Sequence, residues 1–212
     1  MSLYEHWIFP RILDLSMRAE QVTRYREQLV PRAKGHVLEI GMGSGLNIPF
    51  YGPDVERLYG LEPSAELRTM ASRRARKAGV SVTFLDNSAE QIPLADHSLD
   101  TVVMTWTLCT IPDAARALAE VRRVLKPAGE LLFVEHGLAP DAGVRVWQHR
   151  LTPLWMRIAG GCHLNRKIDE LISGAAFRLE DLRTEYAKGP RPMTFMYFGR
   201  ATKGSNGSTA VR

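Results

Sequence analysis

The apolar residues of this chain fall into two alternating rhythms. Short, nearly unbroken runs occupy residues 36–41, 57–62, 80–85, 101–105 and 130–135. Runs of that length, bounded by Gly, Pro, Asp or Asn, read as strands covered on both faces. Between them lie segments with helical spacing. Pro63-Ser64 opens one, with Ser64 placed to cap it. Residues 112–126 form another, carrying Leu118, Val121, Val124 and Leu125 on one face; Pro127 stops it and Gly129 permits the reversal. Helices are also expected from near Ser44 and over 166–173. Strands alternating with helices predict an α/β domain. Two further extended segments, 177–186 and 193–200, follow. The polar run 203–212 reads as a flexible tail.

Two stretches break the alternation. Before the first strand, Ile12, Leu13, Leu15, Met17, Ala19, Val22, Leu29 and Val30 recur with helical spacing until Pro31. A helix over 12–30 packed on the core is expected. The aromatic start, Tyr4, Trp7, Ile8 and Phe9, suits either a lid over a ligand site or a shallow membrane contact. Residues 1–31 are therefore read as an N-terminal helical lid. Residues 138–165, with Trp147, Gln148, His149, Pro153, Trp155, Gly160, Gly161, Cys162 and His163, form an insertion after the fifth strand. No internal repeat or second domain is visible, so residues 1–202 read as one domain.

The stretch that organises the chain is Val37-Leu38-Glu39-Ile40-Gly41-Met42-Gly43-Ser44-Gly45. A strand ends in an acid and three alternate glycines. Without a Cβ, glycine lets a nucleotide-like ligand lie against the main chain at the carboxyl end of a strand. The dinucleotide fingerprint needs G-x-G-x-x-G. Here the spacing is G-x-G-x-G, and Glu39 at its entrance disfavours a pyrophosphate. An acid there suits a ligand bearing an ammonium group and a sulfonium centre. Glu62 ends the second strand about 20 residues beyond the loop, where a carboxylate can accept from ribose hydroxyls.

Composition narrows the classes. The chain has 212 residues, 45% hydrophobic and 24% charged, as expected for a globular domain with a sizeable core. No run reaches the roughly 20 apolar residues of a membrane-spanning helix, and the start lacks signal-peptide layout. A cytoplasmic location is expected, with peripheral contact at the inner membrane face left open. Net charge is +5, from 28 basic and 23 acidic residues. Arg68, Arg73, Arg74, Arg76 and Lys77 gather on one predicted helix and read as a solvated face. No aromatic residues interleave with them, so no nucleic-acid partner is expected. Cys109 and Cys162 stand far apart in sequence, and neither a disulfide framework nor a metal centre is expected from them.

The pattern E-x-G-x-G-x-G resembles motif I of the class I S-adenosylmethionine-dependent methyltransferases. Three later segments support the resemblance. Ser88-Ala89-Glu90-Gln91-Ile92-Pro93-Leu94 resembles the family's D-A-E-x-L-P-F, with Ser88 at the position of an Asp that bonds the adenine amino group; Asp86 is a nearby substitute. Asp96-His97-Ser98-Leu99-Asp100 resembles D-x-S-F-D, and Leu125-Lys126-Pro127-Ala128-Gly129 resembles L-K-P-G-G. The resemblance covers about residues 35–137. It implies a three-layer Rossmann-like fold with a mostly parallel seven-stranded sheet and an antiparallel last strand. It also implies S-adenosyl-L-methionine as cofactor, held by Glu39, Gly41, Gly43, Gly45, Glu62, Pro63, Ser88, Ala89 and Thr105.

Membership gives methyl transfer but not the acceptor. Leu108-Cys109, Glu135-His136, Trp147-Gln148 and Gly161-Cys162-His163-Leu164 resemble segments of methyltransferase-like proteins that methylate hydrogen sulfide and alkyl thiols. That likeness implies a small-molecule acceptor, a thiol, met by an acceptor-side insertion at 138–165. A thiolate attacks without a strong base, and His136 and His163 are the candidate catalytic residues, with Glu135 able to orient an imidazole. Each histidine could instead be packing or surface, and Cys109 a small buried hydrophobe. Phospholipid N-methylation, of phosphatidylethanolamine, and quinone-precursor C-methylation are the alternative activities.

Overall fold

The computed structural model describes residues 9–204. Chain order is α1 (Phe9–Ser16), α2 (Glu20–Leu29), β1 (Gly35–Ile40), β2 (Val55–Leu61), α3 (Ala65–Ala78), β3 (Val82–Leu85), β4 (Leu99–Thr105), α4 (Ala114–Val124) and β5 (Leu125–His136). Then come α5 (Ala142–Ile158), α6 (Ile168–Gly174), β6 (Phe177–Leu179), β7 (Arg183–Tyr186), α7 (Arg191–Thr194) and β8 (Phe195–Lys203). The strands form one sheet in the order β3-β2-β1-β4-β5-β8-β6, with β7 also on β8. The first five are parallel, and β8 runs antiparallel to β5, β6 and β7.

Both faces of the sheet are covered, which is why its central strands read as continuous apolar runs. In β1, Val37 packs among Tyr25, Leu29, Ala71 and Ala75. Leu38 and Ile40 face the other layer, among Leu118, Val121, Ile168 and Ile172. β1 lies between β2 and β4, so the chain leaves it in one direction and returns on the other side. The crevice beyond the carboxyl ends of β1 and β4 is therefore the ligand position of an open α/β sheet.

The expected α/β architecture is present, and three local expectations are corrected. The sixth expected strand is two, β6 and β7, which raises the count to eight. The helix expected over 12–30 is two helices. Arg26 turns inward and donates from Nη1 to the Met17 carbonyl at 2.8 Å and from Nε to Asn47 Oδ1 at 2.9 Å. That tertiary demand opens the chain at 17–19, where Ala19 is extended. No α-helix follows the glycine loop. Residues 41–47 are turns leading to a 3₁₀ turn, Ile48–Phe50; Gly45, Pro49, Gly52 and Pro53 leave too few consecutive helix formers. Residues 138–165, by contrast, hold a 17-residue helix, α5, with Pro153 inside it. Ser64 caps α3 as expected, accepting from the Leu67 N–H at 3.3 Å. The N-terminal residues Tyr4, Trp7 and Ile8 and the tail 205–212 lie outside the described residues.

Candidate active site

A cavity of about 640 Å³ opens in the crevice, walled by α1, the glycine loop, the carboxyl ends of β2, β4 and β5, and the segment that follows α5. Its floor is the loop after β1. Gly43 has φ +57°, and a Cβ built there would meet only the Gly41 carbonyl, at 3.9 Å; the space beyond is cavity. Gly45 serves packing instead, because a Cβ would lie 2.9 Å from the Ala71 Cα of α3. The Glu62 carboxylate pins the loop. Its Oε2 accepts from the Gly43 N–H and its Oε1 from the Ser64 N–H, both at 2.9 Å. Burial raises the Glu62 pKa above the ordinary carboxylate value, opposed by those two backbone donors.

Glu39 is fully buried at the end of β1. It accepts from Asn47 Nδ2 at 2.9 Å and from the Tyr51 hydroxyl at 2.7 Å. Asn47 also donates to Thr105 Oγ1 at 3.0 Å. Burial pushes the Glu39 carboxyl up to about 7, opposed by the Tyr51 hydrogen bond and the Arg26 charge. The cavity therefore presents two buried acids beside a backbone bared at Gly43. That arrangement fits a ligand with a cationic amino-acid end and a ribose.

α1 forms the opposite wall through Ile12, Leu13, Asp14, Ser16 and Met17. Asp14 fastens it to the loop, accepting at 2.5 Å from the Ser44 hydroxyl and at 3.1 Å from Arg74 Nη2. Arg74 in turn donates to the Ser44 carbonyl. Arg68 donates to the carbonyls of Glu62 and Pro63. Arg68 and Arg74 of α3 thus hold the site's walls, while Arg73, Arg76 and Lys77 are exposed as the solvated-face reading expects.

After β4 the chain turns sharply. Trp106 has φ +52°, a sparsely populated conformation for a bulky residue that costs on the order of 1–3 kcal/mol. Its N–H donates to the Val134 carbonyl at 2.8 Å, its ring meets Tyr25 edge-on, and Arg26 lies over it at 5.0 Å. Thr105, Trp106 and Thr107 line the cavity as a result. Glu135 fixes the next turn. Its Oε1 accepts from the N–H groups of Thr107 at 2.8 Å and Leu108 at 2.9 Å, while Oε2 is buried without a partner. Glu135 therefore holds backbone rather than orienting an imidazole, contrary to the sequence expectation.

The cavity wall also brings together residues that are distant in sequence. Cys109 Sγ and Cys162 Sγ are 3.8 Å apart, and His136 Nε2 is 3.0 Å from Cys162 Sγ. All three line the cavity. The Cys162 thiol is pulled down to about 4, by hydrogen bonding from Cys109 and then His136; His136 is raised by its partnership with Cys162 despite burial. The Cys109 thiol is pushed well up by its bond to Cys162 and by burial. The two cysteines thus form a cluster with a histidine that sequence separation had argued against.

Of the residues singled out from sequence, Glu39, Gly41, Gly43, Glu62, Thr105 and His136 meet at this cavity. Gly45, Pro63, Ser88, Ala89 and His163 stand outside its lining. Ser88 is exposed and bonds Glu90. His163 turns its Nδ1 to the Cys109 carbonyl at 3.2 Å. Asn47, Arg26, Trp106 and Asp14 were not anticipated as wall residues. Only a buried polar side chain near a glycine loop could have signalled Asn47, and burial is not visible in one sequence.

Fold and site together define an enzyme that transfers a methyl group from S-adenosyl-L-methionine. The chain belongs to the class I S-adenosylmethionine-dependent methyltransferases. A sequence profile of the methyltransferase domain matches residues 38–133. The chain is 30% identical over 181 residues to thiol S-methyltransferase TMT1A of Homo sapiens, covering 82% of this chain and 72% of that protein. It is 33% identical over 176 residues to thiol S-methyltransferase TMT1B of Rattus norvegicus, covering 80% of this chain and 66% of that one. It thus spans about two thirds of the curated relatives it matches. The crystal structure of an S-adenosylmethionine-dependent methyltransferase from Methanosarcina mazei superposes with a TM-score of 0.65 at 20% identity, covering 88% of this chain and 98% of that one, which supports the fold.

Proposed function

We propose that this enzyme S-methylates hydrogen sulfide, methanethiol or another small thiol. The observation that carries the reading is the Cys109–His136–Cys162 cluster in the cavity wall that Glu39 also lines. S-Adenosyl-L-methionine supplies an electrophilic methyl group on a sulfonium that already carries its leaving group. The chain's residues need only hold the two partners in line, which is the main source of rate in such displacements. Glu39, Gly41, Gly43, Glu62 and Thr105 are placed to hold the cofactor. Gly45 shapes the loop from behind; Pro63, Ser88 and Ala89 stand outside the cavity lining, and their part in cofactor binding rests on the family resemblance alone.

The acceptor side is lined by Trp155, Leu164, Cys109, Cys162 and His136. A thiol reacts as its thiolate, and His136 stands at this wall to favour that form. His163 supports this wall through Cys109. The insertion at 138–165 contributes the acceptor side and residues 9–31 the lid. The named activities of the human and rat relatives support the same acceptor class. A screen with methyl-labelled cofactor, offering sulfide, methanethiol, phosphatidylethanolamine and a quinone precursor, tests the reading. Label is expected in the thioethers; label in an amine or carbon acceptor with every thiol untouched overturns it.

One observation favours phospholipid N-methylation as a second reading. Trp147, Leu154 and Ile158 are exposed in one stripe of α5, at i, i+7 and i+11, and Ile12 and Leu15 are exposed on α1. Ile12 and Ile158 also line the cavity, so apolar surface reaches its rim. Among the described residues no helix is long and apolar enough to cross a membrane. One amphipathic patch gives reversible attachment, so little protein should float with neutral liposomes at physiological salt. Stable co-flotation would favour the lipid acceptor.

A further inference from the structure

We propose that Cys109, His136 and Cys162 bind a soft divalent cation, Zn²⁺, with its fourth position open to the cavity. The inference rests on the thiol reading and gives it a means of holding the acceptor's sulfur. The three ligand atoms lie within 4.8 Å of one another. A tetrahedral zinc with Zn–S near 2.3 Å sets its two sulfurs about 3.8 Å apart; the Cys109 and Cys162 sulfurs are 3.8 Å apart, while His136 Nε2, now hydrogen-bonded at 3.0 Å from the Cys162 sulfur, has to move back by roughly half an ångström to ligate. Cys₂His with one open position is a catalytic rather than a structural ligand set. Two thiolates balance the ion's charge, so the site can be buried without net charge.

The ligands come from three elements that are tied together independently of any ion. The His163 N–H donates to the Cys109 carbonyl at 2.9 Å, clipping the segment of Cys162 to that of Cys109. Glu135 accepts from Thr107 and Leu108, clipping the segment of Cys109 to the strand end that carries His136. Its second oxygen is buried without a hydrogen-bond partner, so Glu135 acts on the cluster by fixing the backbone of the Cys109 segment. A thiol taking the open position gives its sulfur lone pair to the metal and its proton to solvent. A coordinated thiol is deprotonated outright.

The test is anaerobic titration of the reduced, metal-free full chain with Co²⁺. One ion per chain is expected, with the visible bands of a four-coordinate site and a near-ultraviolet sulfur-to-cobalt charge-transfer band; one equivalent of Zn²⁺ should abolish them. Cys109→Ser and Cys162→Ser should each weaken Zn²⁺ binding by roughly 100-fold or more, beyond the loss typical of an outer-shell change. Wild-type protein without a charge-transfer band, or binding unchanged in folded serine variants, overturns the site. Methylation assays separate it from the thiol reading. A chain that binds Co²⁺ as described but methylates no thiol keeps the metal site and loses the acceptor. A metal-free chain that methylates thiols at the full rate keeps the acceptor and ends the proposal.

Discussion

Glu62 and Glu39 concentrate the chemistry of the cofactor end at the scale of single residues. Glu62 holds the Gly43 and Ser64 N–H groups, so Glu62→Ala removes both a ribose acceptor and the loop's anchor. Calorimetry should show cofactor affinity lower by roughly 1.5–3 kcal/mol, the scale of a lost hydrogen bond to a charged group; unchanged affinity in a folded variant would rule out the ribose role. Glu39 makes a prediction in pH. Its ordinary value of 4.5 is raised to about 7 by burial, so between those values the folded chain holds a proton that the unfolded chain has lost. The resulting stability is complete below the ordinary value and is lost as pH rises through about 7. Urea melts at pH about 5 and about 8 should show a smaller difference for Glu39→Gln than for wild type. Glu135, raised to about 7 by the same cause, keeps part of the slope. Equal slopes would mean that Glu39 is already ionised in the folded chain.

Elements decide how much of the site could be read in advance. The glycine loop, the acid after β2 and the alternation of the first five strands with helices follow from patterns local to residues 35–137. The break between α1 and α2 does not, because Arg26 creates it by reaching Asn47. Nor does α5, whose Pro153 argues against a helix until Gln148 is seen to anchor it. Gln148 accepts from the Ala139 N–H at 2.9 Å and donates to the carbonyls of Gly137 at 2.9 Å and Pro192 at 3.1 Å. Gln148→Ala should cost about 1–3 kcal/mol for each backbone group left buried and unpaired, visible as a lower urea midpoint; a midpoint unchanged from wild type would show that water replaces the side chain. For α1 the anchor is Asp14. Asp14→Ala should speed hydrogen exchange in residues 9–17 while leaving β1 and β4 protected. Uniform exchange across the chain would mean that α1 is not an independent wall.

The parallel sheet sets one end of the cavity and the segments after β4, β5 and α5 set the other. Sequence patterns expose the first end, since Glu39, Gly43 and Glu62 lie at the strand ends where the alternation places them. They do not expose the second, because residues 109, 136 and 162 meet only through long-range clips at Glu135 and His163. That division makes the central claim separable: one end binds the cofactor and the other handles the acceptor. The direct measurement is His136→Ala, assayed for cofactor affinity by calorimetry and for methanethiol turnover with methyl-labelled cofactor. The account predicts unchanged affinity and turnover lowered by roughly 100-fold or more, the scale of losing a positioned catalytic group. Turnover equal to wild type, or cofactor affinity lost in step with turnover, would contradict it.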